Sequence, residues 1–123
     1  MSPTPSPAAP SVDALTAGRA VAGGALLVDV RSDAGRAAHG GLPQAVVVAT
    51  TDVGPAFTVG GPGALPQLTG LDQEIVVICG STAGSGPVAA ELLAAGFTNV
   101  VQVDGGFPAW KAAGLAPGEP AQA

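Results

Sequence analysis

The sequence predicts an α/β fold with three layers: a mostly parallel sheet of four to five strands with helices on both faces. Short apolar runs of strand length recur along the chain and alternate with helical segments. These runs are rich in valine and isoleucine, as is typical of strands buried on both faces. The 19 glycines and 12 prolines are concentrated between the runs and near the chain ends. The predicted strands are residues 25–30, 45–49, 75–78 and 99–103.

Residues that start or stop helices define the segments between the strands. Ser11 is a suitable N-cap for a first helix, Pro87 suits the first turn of a later helix, and Gly96 suits its C-terminal end. The predicted helical segments are residues 12–21, 33–38, 87–95 and 107–113, and residues 50–70 are predicted to be a long loop with one helical turn near 63–68.

The length of 123 residues predicts one folded domain. Residues 1–10 are rich in proline, serine and alanine, and we expect them to form a disordered leader. The folded domain is predicted to cover residues 11–117, and residues 118–123 are predicted to form a flexible tail.

Composition excludes several classes of function. The net charge is −5 with a pI near 4.3, and only four basic residues are present, which argues against nucleic acids and anionic membranes as partners. A single cysteine cannot form an internal disulfide. One histidine and one cysteine cannot complete a metal site, so we expect no metal and no cofactor. Residues 1–10 lack the features of a secretory signal, and a cytoplasmic location is predicted.

The residues from 74 to 97, EIVVICGSTAGSGPVAAELLAAGF, contain the segment most indicative of chemistry. Cys79 lies where a buried strand meets a loop of small residues, the place where parallel α/β sheets collect their active sites. Successive backbone N–H groups of small residues can surround an anion such as a thiolate or a persulfide. By residue type alone, a buried structural cysteine is an equally good interpretation. The predicted binding loop consists of Gly80, Ser81, Thr82, Ala83, Gly84 and Ser85. The hydroxyl groups of Ser81, Thr82 and Ser85 are expected to be additional hydrogen-bond donors.

Four blocks in order resemble single-domain rhodaneses. They are LLVDVR at residues 26–31, HGGLPQA at 39–45, the Cys79 loop with its helix ending in AAGF at 94–97, and NVVQVDGGFPAWKAAGLAP at 99–117. The resemblance implies a rhodanese-like fold and a sulfurtransferase activity. In that family the cysteine matching Cys79 takes a sulfane sulfur from a donor, holds it as a persulfide and passes it to a thiophilic acceptor. The donor is expected to be thiosulfate, a low-molecular-weight persulfide or a persulfide-donating protein.

The active loop of that family runs six residues from the cysteine, here residues 79–84, and usually carries basic residues. Glycine occupies both of the usual basic positions, Gly80 and Gly84. A loop without charge loses a charge-assisted hydrogen bond to an oxyanion, worth about 1.5–3 kcal/mol. This departure argues against a phosphatase, whose related loop is one residue longer and ends in arginine. It also supports an alternative hypothesis: a rhodanese-fold binding or regulatory module with little turnover.

Other conspicuous residues are interpreted as structural. His39 is the only histidine, and we expect it to pack and hydrogen-bond rather than act as a base. Asp29 and Arg31, at the end of a strand, are predicted to form a local ion pair. Phe107 and Trp110, three residues apart on a short helix, are predicted to belong to the core. A role in lining the approach to Cys79 is the less favoured alternative for both.

Overall fold

The computed structural model describes residues 11–32, 34–35, 37, 42, 45–49, 52–66, 68–80 and 82–114, with residues 82–85 described by their backbone only. The predicted leader 1–10, the predicted tail 118–123, His39 and Ser81 lie outside the described residues. Residues 34, 35 and 37 are helical, but the ends of the turn predicted at 33–38 also lie outside them. None of the helices in the described ranges is both long and apolar enough to cross a membrane.

A five-stranded, all-parallel sheet forms the centre of the molecule, which confirms the predicted α/β fold. Its strands are β1 (Ser11–Val12), β2 (Leu26–Asp29), β3 (Val46–Val47), β4 (Glu74–Ile78) and β5 (Asn99–Val103). The strand order is β1-β5-β4-β2-β3, so β4 is central. Leu26 pairs with Ile75 and Glu74 with Asn99, so the carboxyl ends of β2, β4 and β5 lie side by side along what we call the carboxyl edge of the sheet.

Four helices have both ends within the described residues: α1 (Ala14–Ala22), α2 (Val53–Ala56), α3 (Thr82–Ala94) and α4 (Gly106–Ala112). Side chains of β4 alternate between two cores. Ile75 and Val77 pack with α2 and α3 on one face, whereas Val76 and Ile78 pack with α1 and α4 on the other. The predicted three-layer arrangement is therefore present.

The start of the first helix differs from the prediction. Ser11 does not cap it, because Ser11 and Val12 form β1 and pair with Gln102 and Val103 at the edge of the sheet. Asp13 is the N-cap instead, and its Oδ1 accepts a hydrogen bond of 2.8 Å from the Thr16 N–H. Hydrogen bonds from the side chain and backbone of Thr16 lower the pKa of Asp13 from its ordinary value of 3.8.

The predicted loop 50–70 contains a helix at a different place from the one expected. The helical turn is α2 at Val53–Ala56, and the described residues of the expected turn, 63–66 and 68, are not helical. Pro55 is tolerated because it lies in the first turn of α2, where no intrahelical partner for an N–H exists. Val53 and Ala56, three residues apart, are both buried in the core with Phe57. Burial of this face therefore outweighs the glycine and proline content that predicted a loop.

Helix α3 ends as the sequence predicts. Gly96 has a φ of 108°, a left-handed conformation that glycine adopts without a steric penalty. Its N–H donates to the Leu93 carbonyl, and the Phe97 N–H donates to the Leu92 carbonyl. These two bonds constitute a Schellman motif, and Leu92 and Phe97 are both buried in the same core. The motif returns the chain towards β5.

Candidate active site

Cys79 follows the central strand β4 at the carboxyl edge of the sheet. Its carbonyl accepts a hydrogen bond of 2.8 Å from the Phe107 N–H, and the preceding Ile78 carbonyl accepts one of 3.0 Å from the Val30 N–H. The backbone of Cys79 is thereby held between the end of β2 and the start of α4. Its side chain is half-buried, with Sγ 3.9 Å from the Val30 carbonyl oxygen. The thiol is thus placed accurately and remains accessible from one side.

The chain after Cys79 becomes helical earlier than predicted. The sequence indicated a loop at residues 80–86 and a helix from Pro87, but α3 begins at Thr82 and Pro87 lies inside it. The run of glycine and serine is a poor helix former, yet Val88, Ala89 and Leu92 of the same helix are buried against the sheet. Packing of this face extends the helix back through the small residues.

This correction brings the positive end of α3 close to Cys79. Only Gly80 and Ser81 separate Cys79 from the first helical residue, Thr82. The first N–H groups of an α-helix have no intrahelical acceptor, and the helix dipole favours negative charge there. The side chains of Ser81, Thr82 and Ser85 are not among those that the structure describes. The role of their hydroxyl groups as donors therefore stays a prediction. The role of the predicted site residues 79–85 stays a prediction. The structure places Cys79, Gly80 and the backbone of residues 82–85.

A pocket of about 730 Å³ opens over Cys79. Three segments contribute to its wall: the chain after β2, the chain after β4, and one face of α4. Its lining residues within the described set are Arg31, Ser32, Gly35, Cys79, Gly80, Phe107, Pro108, Lys111 and Ala112.

Asp29 and Arg31 form the ion pair that the sequence predicts, and it is buried. Arg31 Nη2 lies 2.8 Å from Asp29 Oδ2, and Nε lies 3.0 Å from Oδ1. The Arg31 backbone N–H also donates to Oδ1 at 3.0 Å, so the carboxylate fixes both the main chain and the side chain of Arg31. The guanidinium carbon lies 4.2 Å from the centre of the Phe107 ring, within the range of a cation–π interaction. Arg31 and Phe107, which contact each other and of which Arg31 is held by Asp29, therefore form one side of the pocket.

Helix α4 supplies four residues to the pocket, of which the sequence indicated only Phe107, and that as the less favoured alternative. The pocket residues of α4 form two pairs on one face of the helix, each pair one helical turn apart: Phe107 with Lys111, and Pro108 with Ala112. Phe107 and Trp110 belong to the core as predicted, but Phe107 also lines the pocket. Lys111 brings to the pocket a positive charge that residues 79–84 lack. The spacing on α4 was visible in the sequence; the placement of that face over Cys79 was not.

These observations define a class of protein: an α/β domain with a half-buried cysteine after the central parallel strand, beneath a pocket. The sequence matches the Rhodanese-like domain family over residues 12–113. The chain therefore belongs to the rhodanese-like family. The comparison with curated protein sequences gives no significant match.

Solved structures agree with this assignment. A protein of unknown function from Rhodopseudomonas palustris, described as a possible tyrosine phosphatase, has a TM-score of 0.76 at 22% identity. The match covers 86% of this chain and 82% of the chain of that protein. A rhodanese-like domain protein from Staphylococcus aureus has a TM-score of 0.65 at 21% identity, with 82% and 90% covered. A thiosulfate sulfurtransferase from Pseudomonas aeruginosa has a TM-score of 0.67 at 29% identity. The match covers 93% of this chain but only 20% of the chain of that protein. The first two likenesses bear on the fold alone.

Proposed function

We propose that the protein is a sulfurtransferase that carries sulfane sulfur as a persulfide on Cys79. With thiosulfate as donor, the Cys79 thiolate attacks the outer sulfur, a new S–S bond forms, and the bond to the sulfite sulfur breaks with its electron pair. Sulfite leaves, and the thiol proton has gone to solvent. A thiophilic acceptor then attacks the outer sulfur of the persulfide, and Cys79 returns to a thiolate. No external oxidant or reductant is needed in either half-reaction.

The observation that carries this proposal is the position of Cys79, accessible in the wall of a pocket of about 730 Å³. A purely structural cysteine needs no such opening, because it packs as a small hydrophobe. Both the thiolate and the persulfide are anions, and the start of α3 lies three residues further along the chain. The positive end of a helix is a favourable neighbour for such anions. Membership of the rhodanese-like family supports the same chemistry.

Replacing Cys79 with serine tests the proposal. We expect thiocyanate formation from thiosulfate and cyanide to fall to the rate without protein, because an alkoxide is not accessible to serine here and a hydroxyl cannot hold a sulfane sulfur. The Cys79 Sγ makes a long contact of 3.9 Å to the Val30 carbonyl and packs against the core. Serine is close to cysteine in size, so we expect the variant to stay folded with an unfolding midpoint near that of wild type. Equal turnover in wild type and Cys79→Ser would exclude Cys79 as the sulfur carrier.

A second function, a binding or regulatory module, is supported by the absence of charge at Gly80 and Gly84. Lys111 in the pocket wall weakens that argument, since it brings positive charge to the site from α4. Turnover at the background rate with thiosulfate and with organic persulfide donors, for a folded wild-type protein, would favour the module.

Restoring a charge after the cysteine is expected to increase the use of thiosulfate. Gly80 lines the pocket, and a Cβ built on it has no neighbour within 4 Å, so a long side chain can be accommodated. For Gly80→Arg we expect kcat/KM for thiosulfate to rise about tenfold, the effect of one partly exposed charge-assisted hydrogen bond. Gly80→Gln, which has a long polar side chain without charge, is the control. An equal change in both variants would show that loop charge does not limit the reaction.

A further inference from the structure

The pocket over Cys79 is far larger than the inorganic donor requires. Thiosulfate has five heavy atoms; at the volume that one water occupies in the liquid, five such atoms fill roughly 150 Å³. The pocket holds about 730 Å³, within the range of about 300–1,000 Å³ that is typical of sites for organic ligands. Most of this space would stay filled with water above bound thiosulfate.

The wall of the pocket is apolar on one side. The Phe107 ring, Pro108 and Ala112 form this side, and all three belong to α4. Pro108 and Ala112 are exposed, so the apolar surface at the pocket is open to a ligand. Burying apolar surface of a ligand there is favourable by about 25 cal/mol per Å².

The two cationic residues that line the pocket, Arg31 and Lys111, differ in how much positive charge they can offer to a ligand. The positive charge of Arg31 is balanced by the buried carboxylate of Asp29, with a separation of 2.8 Å. Lys111 is exposed and, within the described residues, makes no ion pair. Lys111 is therefore the cation among the described lining residues that has charge to offer to a ligand.

We infer that the pocket selects an organic sulfur donor with an apolar body and a single anionic group, and that Lys111 is a specificity-determining residue for it. This inference rests on the proposed persulfide chemistry. In the bound donor the anionic group lies at Lys111, the apolar body covers Phe107, Pro108 and Ala112, and the sulfane sulfur faces Cys79.

An alkyl or aryl thiosulfonate, R–SO₂–S⁻, provides a probe with this chemistry. The Cys79 thiolate attacks the terminal sulfur and forms the persulfide, and the sulfinate R–SO₂⁻ leaves with the electron pair of the broken S–S bond. Atoms and charge balance as they do for thiosulfate. Benzenethiosulfonate and methanethiosulfonate share the reacting group and differ in the apolar body.

The experiment measures kcat/KM for both thiosulfonates, each divided by its rate with a small free thiol to remove intrinsic reactivity. We expect benzenethiosulfonate to be favoured by about tenfold, from the additional apolar area buried. Ala112→Phe, which fills the apolar side of the pocket, should bring the ratio of the two corrected kcat/KM values close to one by lowering the value for benzenethiosulfonate.

Lys111 is tested by a matched pair of charge-removing variants. Lys111→Gln should lower kcat/KM for both thiosulfonates about fivefold, as expected for a partly exposed ion pair, and Lys111→Arg should restore most of it. Arg19→Gln changes the net charge equally, but Arg19 is exposed on α1 and is not among the pocket residues; no loss is expected.

The outcomes of these measurements distinguish failure of this inference from failure of the proposed function. Loading of Cys79 by both thiosulfonates at equal corrected rates, or equal effects of Lys111→Gln and Arg19→Gln, overturns the inference and leaves the persulfide chemistry in place. Failure of every donor to load Cys79 overturns both.

Discussion

Replacing Asp29 with asparagine is expected to lower the free energy of unfolding by about 3–5 kcal/mol, because it removes the negative charge that Asp29 places 2.8 Å from the buried Arg31 guanidinium. The Asp29 side chain is 0% exposed and that of Arg31 is 2% exposed. Asparagine keeps the size of the side chain and removes one of two carboxylate oxygens that accept from the guanidinium. Urea unfolding at neutral pH measures the difference.

A surface aspartate provides the control for this change. Asp104 follows β5 at the same edge of the sheet as Asp29 but is exposed. Asp104→Asn should alter stability by less than about 0.5 kcal/mol. The double variant Asp29→Asn with Arg31→Met removes both charges, so it should recover part of the loss. If Asp29→Asn were as stable as wild type, the ion pair would not be what orders this wall of the pocket.

The second large effect is expected for Trp110, the largest side chain of the core beneath α4. Trp110 is 1% exposed and packs in the cluster that joins α4 to α1 and to the sheet, which includes Ala17, Val76 and Val103. Truncation of a buried tryptophan to alanine removes these contacts and leaves a cavity, at a cost of about 3–5 kcal/mol. This is a large share of the stability of about 5–15 kcal/mol that is usual for a domain.

Phenylalanine at position 110 separates packing from hydrogen bonding. Trp110 Nε1 makes no hydrogen bond to the described residues, so Trp110→Phe should cost much less than Trp110→Ala. Leu15→Ala, on an exposed side chain of α1, is the surface control and should change stability by less than about 0.5 kcal/mol. Equal losses for Trp110→Phe and Trp110→Ala would contradict a packing role. Since Phe107 and Lys111 lie on the same helix, we also expect Trp110→Ala to weaken donor binding.

Much of the sheet could be predicted because its signals are local. Residues 99–103 form β5 as expected, since an apolar run follows the Gly96 turn and precedes Asp104 and Gly105. Likewise the run ending at Ile78 forms β4 and places Cys79 at the carboxyl edge. The strand β1 has no comparable signal, because two residues acquire strand structure only by pairing with β5.

Two errors in the predicted helices, the missed helix α2 and the late start expected for α3, have one physical cause. Glycine, serine and proline lower local helix propensity at residues 53–56 and 82–87, but buried side chains at Val53, Ala56, Val88 and Leu92 favour helix there. Tertiary packing, which one sequence does not display, decides these cases. The same holds for the pocket: the spacing of Phe107 and Lys111 is local, whereas their approach to Cys79 depends on the hydrogen bond from the Phe107 N–H to the Cys79 carbonyl.

Intact mass spectrometry after incubation with thiosulfate, followed by removal of excess donor, tests the role of Cys79 most directly. The protein contains one cysteine, so a single site can be loaded. We predict that the wild-type mass rises by one sulfur atom, that cyanide reverses the gain, and that Cys79→Ala shows none. An unchanged wild-type mass with both thiosulfate and benzenethiosulfonate, or a sulfur adduct on Cys79→Ala, would contradict the proposal that Cys79 carries the sulfur.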